Sequence, residues 1–179
     1  MLQGFMALVL LLATVGNDVI MVADARHRSV SSGLVRDGRL TYGKRLPVVG
    51  PNFISYSPML SLLGRTHVHG AVRDSLLESW ALMQRRAPDV RFVFAETGWR
   101  DGGDFWPHRT HQNGKSVDLH VPVRDVLGKS VSMPTHAWNS WGYDIDFDRW
   151  GVAHHEGLRI DFAALPRVVR RVRPRGVLR

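Results

Sequence analysis

Three histidines and an aspartate, His108, His111, Asp118 and His120, fall within thirteen residues of the segment GWRDGGDFWPHRTHQNGKSVDLHVPV. His111 and Asp118 stand seven positions apart with Gly114 between them. Seven residues of extended chain would hold the two side chains far apart, but a glycine permits the sharp turn that lets a loop residue and a strand residue converge. Asp118 and His120, two apart, share one face of a strand, opposite Val117, Leu119 and Val121. A carboxylate beside imidazoles can bind a divalent ion. Catalytic zinc takes three protein ligands and keeps an open position for water. So held, the ion lowers the pKa of that water and polarises a carbonyl, which is the chemistry of metal-assisted amide hydrolysis. The same side chains could instead be polar loop residues hydrogen-bonded around Asp118.

The chain has no cysteine. Disulfides, thiolate nucleophiles and cysteine-based metal sites are therefore excluded, and a transition metal would depend on the nine histidines and on carboxylates. Three further groups could in principle supply ligands. His154, His155 and Glu156 read as a solvated turn between Gly151 and Gly157, because adjacent strand residues point to opposite faces. His67 and His69 have same-face spacing but directly precede a helix, which favours capping or packing. Asp144, Asp146 and Asp148 alternate with Ile145 and Phe147 and read as a solvent-facing strand edge, although such oxygens could hold calcium. Of the six tryptophans, Trp99, Trp106, Trp138 and Trp141 could line a groove, with most of the six expected in the core.

The elements that must position these residues follow from periodicity. Val72, Leu76, Leu77, Trp80 and Met83 fall on one helical face between Ala71 and Arg86, and Pro88 stops the helix. Arg91 to Ala95, Ser116 to Val123, Tyr143 to Phe147 and Leu158 to Ile160 read as strands. Asp161 caps a short helix that Pro166 interrupts. Ser31 to Leu63, rich in Gly, Pro and Ser, reads as irregular structure. The order predicts an α+β domain, a small antiparallel sheet with flanking helices.

The 179 residues are about one domain's length, and 44% apolar content against 22% charged excludes a mostly disordered chain. The formal charge of +8 invites a nucleic-acid reading, but it is unevenly placed. Residues 166–179 hold six arginines and no acid, leaving residues 1–165 with 18 basic against 16 acidic side chains, or +2. No aromatic or recognition-helix pattern accompanies the arginines, so specific nucleic-acid binding is not expected. At the other end, the apolar run Phe5 to Ala13 falls short of the roughly twenty residues that span a bilayer. With Ala23-Asp24-Ala25 as a small-residue cleavage pattern, residues 1–25 read as a signal peptide and not as a transmembrane anchor. The expected organisation is a signal peptide over 1–25, a domain over 26–165 and a basic tail over 166–179.

His111, Gly114 and Asp118 form His-x-x-Gly-x-x-x-Asp, preceded by Pro107-His108-Arg109-Thr110. This resembles the first metal-binding motif of the penicillin-insensitive murein endopeptidases. These belong to the LAS group of zinc peptidases, which includes D-Ala-D-Ala peptidases and hedgehog-like domains. Glu96-Thr97-Gly98-Trp99, Ser116-Val117-Asp118, Val121-Pro122-Val123 and Leu158-Arg159-Ile160-Asp161-Phe162 extend the resemblance from about Gly33 to Leu165. It implies a LAS-type fold and a periplasmic, zinc-dependent endopeptidase cleaving peptide cross-links of peptidoglycan, typically the D-alanyl to meso-diaminopimelyl bond. His111 and Asp118 match two zinc ligands, and His108 matches a further active-site histidine with a catalytic role. The family draws its remaining ligand from a late His-x-His strand. Here the chain reads LPRVVRRVRPRGVLR instead, without histidine. The expectation is accordingly a shortened form, either active or a remnant that binds peptidoglycan without cleaving it.

Overall fold

In the computed structural model, which describes residues 2–24 and 26–165, helix α3 (Gly70–Arg86) buries Leu76, Ser79, Trp80 and Met83. That is the i, i+3, i+4, i+7 stripe of an amphipathic helix. The last turn closes with the Ala87 N–H on the Met83 carbonyl at 2.8 Å, and Pro88 follows. Two further helices precede it, α1 (Leu2–Asp24) and α2 (Pro58–Leu62). The strands are short: β1 (Val30–Leu34), β2 (Asp37–Thr41), β3 (Lys44–Arg45), β4 (Phe53–Ser55), β5 (His67–Val68), β6 (Phe92–Phe94), β7 (Val123–Arg124), β8 (Ser130–Val131), β9 (Val152–Ala153) and β10 (Leu158–Ile160). Helix and strand mixed in this way, with small antiparallel sheets, make an α+β chain, as expected. The antiparallel strands are distributed over three small sheets, and β4 pairs β6 in parallel.

The chain divides into two compact units. The first comprises Met1–Val49, Ser57–Asp74 and Ala95–Asp118. It holds the β1–β2 hairpin and the β3–β5 pair, and Leu40, Leu46, Val48 and Val68 are buried within it. Helix α1 docks here through a polar contact. Asn17 is fully buried, donates to the Leu46 carbonyl at 3.2 Å and accepts from Arg45 at 3.0 Å. Arg45 also donates to the carbonyls of Ser61 and Leu62, so one guanidinium ties α1, β3 and α2 together. Leu8, Leu11, Leu12, Val15 and Val19 lie exposed on α1. Among the described residues no helix is long and apolar enough to cross a membrane.

The second unit comprises Gly50–Tyr56, Ser75–Phe94 and the described residues from Leu119 onward. Phe53 stacks on Trp80 with ring centroids 4.0 Å apart, and Phe94 tilts against both. Aromatic clusters of this kind combine large buried area with favourable ring geometry. An antiparallel sheet of order β8-β7-β10-β9 follows, pinned by Arg124, which reaches Asp161 and Asp89. Asp161 accepts from the Ala164 N–H at 3.1 Å and so caps a turn. The basic segment 166–179, with Pro166, lies outside the described residues.

Three expectations about elements change. The Ser31–Leu63 stretch is not irregular throughout, since it holds the β1–β2 hairpin, β3, β4 and α2. Its hairpin buries only Leu40, so no alternating apolar pattern could announce it. Tyr143–Phe147 is not a strand. It follows a 3-10 turn over Ala137–Gly142 whose Ser140, Trp141 and Gly142 adopt left-handed backbone, which breaks an extended chain. Ser116–Val123 is extended but becomes a regular strand only at Val123. Asp118 and His120 donate their N–H groups across to the Glu96 and Val93 carbonyls, but Pro122, next in the alternation, has none to give.

Candidate metal centre

The first unit brings its site together from one loop and the two extended segments that flank it. After β6 the chain runs on through Ala95 and Glu96, and Asp118 pairs with this segment. The Ala95 N–H donates to the Asp118 carbonyl at 2.8 Å, and the Asp118 N–H donates to the Glu96 carbonyl at 3.1 Å. The intervening loop is held by the β1–β2 hairpin, where Ser31 donates to the Asn113 carbonyl and Asn113 to the Gly33 carbonyl. Gly114 has φ +71°, and a Cβ there would meet a Leu40 methyl at 2.7 Å and the His69 nitrogen at 2.8 Å. This is the turn the sequence spacing requires. His111 itself sits at φ +73°, a region that non-glycine residues seldom occupy and that concentrates at functional sites.

His111, Asp118 and His108 converge. One donor atom from each lies within 4.8 Å of the others. His111 Nε2 stands 3.4 Å from Asp118 Oδ1, and His108 Nδ1 stands 4.0 Å from Asp118 Oδ2. Two ligands on a tetrahedral zinc with bonds of about 2.0–2.1 Å are separated by roughly 3.3 Å, so the His111–Asp118 pair is already at ligand spacing. The two imidazoles meet edge to face, 5.4 Å between centroids. The His111 side chain is 2% exposed, whereas those of His108 and Asp118 are 24% and 35% exposed. The cluster is therefore walled on one side and open on the other, where a water or a substrate carbonyl can enter.

Further contacts orient these side chains. An N–H at His111 Nδ1 donates to the Ser116 carbonyl at 3.4 Å, which leaves Nε2 as the ring nitrogen that faces Asp118. Burial disfavours the His111 imidazolium. The hydrogen bond and charge of Asp118, with the backbone carbonyls of Ser116 and Thr97, outweigh burial and raise its pKa above the usual histidine value. His108 Nε2 contacts Glu96, which also contacts Arg65. Phe105 is buried and lies against His108 and His111, forming the apolar wall of the site.

Of the residues singled out by sequence, His108, His111 and Asp118 meet, and they form the one such donor group among the described residues. His120 does not join them. Its ring packs edge to face on Tyr143 in the second unit. His69 Nδ1 accepts from the Ala71 N–H at 3.2 Å, a capping contact at the start of α3, and His67 Nδ1 bonds the Gly64 carbonyl at 2.8 Å. His154, His155 and Glu156 are exposed in the turn between β9 and β10, and Asp144, Asp146 and Asp148 are exposed as well. The tryptophans depart from the expectation of burial. Trp80 is in the core, but Trp106, Trp138 and Trp150 are 84%, 86% and 68% exposed. Glu96 and Arg65 carried no assigned role in the sequence. A glutamate placed directly after the buried run Phe92–Ala95 was the available signal, because an acid is rarely buried without a partner. No model of a known protein family matches the chain, and no curated protein matches it.

Proposed function

We propose that the first unit carries a zinc site and that the chain is a murein endopeptidase-like domain with a LAS-type fold, acting on peptide cross-links of peptidoglycan of the D-alanyl to meso-diaminopimelyl type. The observation that supports this reading is the convergence of His108, His111 and Asp118 with an open side. His111 Nε2, Asp118 Oδ1 and His108 Nδ1 would hold the ion. Bound there, zinc supplies a water of lowered pKa and polarises the scissile carbonyl.

The remaining work falls to the chain. Asp118 keeps both imidazoles turned towards one point, and Phe105 excludes water from the buried side. The exposed indole of Trp106, two residues before His108, would offer a flat apolar surface for a peptide or glycan strand. Peptidoglycan lies outside the cytoplasmic membrane, so the reading places the protein in the periplasm, with the N-terminal apolar segment serving export.

Digestion of purified cross-linked peptidoglycan, with and without a chelator, tests the proposal. The expected result is loss of dimeric cross-linked fragments, prevented by the chelator and restored by zinc. Cleavage that the chelator leaves untouched would overturn the zinc mechanism. Co-sedimentation with cell-wall sacculi without any cleavage would replace the enzyme by a peptidoglycan-binding module.

A further inference from the structure

We propose that Glu96 is a positioning residue for His108, acting through the imidazole to aim its Nδ1 at the metal point. The proposal rests on the zinc reading of the site. Glu96 is 6% exposed and sits on the extended segment that pairs with Asp118. Its two carboxylate oxygens serve two different donors. Oε2 contacts His108 Nε2 and Oε1 contacts Arg65 Nε. An acceptor at Nε2 requires the proton there, and the neutral ring then presents its lone pair at Nδ1, the atom that faces Asp118. Carboxylate–histidine–metal arrangements use the same logic, with the outer carboxylate choosing the tautomer and the ring orientation.

Arg65 keeps Glu96 in place. Its guanidinium carbon lies 4.3 Å from the Phe105 ring centroid and 5.1 Å from that of Trp99, so the edge-to-face pair that these two rings form holds the cation. The same group donates to the Trp106 carbonyl at 3.2 Å. Arg65 thus connects the residue that orients His108 with the backbone that leads into His108. Pro107 intervenes between Trp106 and His108, so the loop cannot donate an N–H at that step.

Glu96→Gln is the discriminating change because it preserves shape. A carboxylate offers two acceptors, whereas an amide offers one acceptor and one donor. One of the two contacts must then set a donor against a donor. The test measures zinc affinity, by competition with a chromophoric chelator, for the wild type, E96Q, H108A and the double variant. E96Q is expected to weaken binding about 10- to 100-fold. In the H108A background E96Q should change affinity by no more than about 2-fold, because a residue that acts through His108 has nothing left to act on.

Equal affinity of E96Q and wild type would overturn the proposal, and so would an undiminished effect of E96Q in the H108A background. Nitrogen-15 NMR of the metal-free chain separates this inference from the metal reading. The expected signature is a His108 ring protonated at Nε2 in the wild type and redistributed towards Nδ1 in E96Q. A wild-type ring protonated at Nδ1 would refute the positioning role. A chain that takes up no zinc yet shows the expected tautomer would refute the metal reading and leave the positioning role standing.

Discussion

Asp148, His154, His155 and Glu156 offer as many imidazoles as His108, His111 and Asp118 and more carboxylates, yet the two regions do different things with them. Asp148 Oδ1 accepts from the N–H groups of Trp150 and Val152 at 2.8 and 2.9 Å, and Oδ2 faces His154 at 3.2 Å. The carboxylate closes a turn. His154, 75% exposed, meets it from solvent. Asp118 has its backbone satisfied by the backbone of Ala95 and Glu96, so the side chain is not needed for a cap and faces two imidazoles. The number of donor residues therefore says little. A ligand set forms where the backbone takes care of itself and the side chains are left to converge against an apolar wall.

The largest effects should come from the converging cluster. His111→Ala and Asp118→Ala are each expected to abolish stoichiometric zinc uptake in calorimetry, and uptake unchanged in either would show that the ion, if bound, sits elsewhere. Next is the turn that makes convergence possible. Gly114→Ala places a Cβ against the His69 nitrogen at a φ of +71° and should cost about 1–3 kcal/mol in denaturant unfolding. It should also weaken zinc binding, and an unperturbed variant would mean that the turn does not depend on glycine.

The solvated cluster should respond weakly. His154→Ala, His155→Ala and Glu156→Gln should leave zinc affinity unaltered and shift stability by no more than about 0.5 kcal/mol. A lost metal equivalent in any of them would erase the contrast between the regions. The smallest effect is a pH dependence. The Val152 N–H holds the Asp148 pKa below the usual aspartate value against a partial desolvation, with help from Trp150 and His154. A lowered folded-state pKa contributes stability above the ordinary aspartate range, and that contribution is lost as pH falls through the lowered value. An NMR titration should show the Val152 amide following Asp148 at acid pH, and an Asp148 midpoint at the ordinary value would remove the capping role.

Much of this was legible in order along the chain. The α3 stripe, the β6 and β10 strands and the His69 cap follow from residue spacing, because each is signalled by residues within a few positions even where, as for β6 and β10, the pairing partner is distant. The β1–β2 hairpin was not legible, since its strands pair through backbone and bury only Leu40. The strand over Ser116–Val123 was legible as extended chain but not in its interruption, which depends on which N–H groups find a carbonyl across the ladder.

What the sequence determined by itself is the chemistry available: no thiol, histidines as the metal-competent groups, and a glycine placed so that His111 and Asp118 could meet. Tertiary structure decided which of the donors meet. It set His108 within reach of Asp118, placed His120 on Tyr143, and brought Glu96 and Arg65 in behind His108 from positions that spacing alone does not connect. The reason is physical. Spacing governs contacts within a turn or a strand, whereas a ligand set joins segments whose approach is fixed by long-range backbone pairing and by the rings they bury.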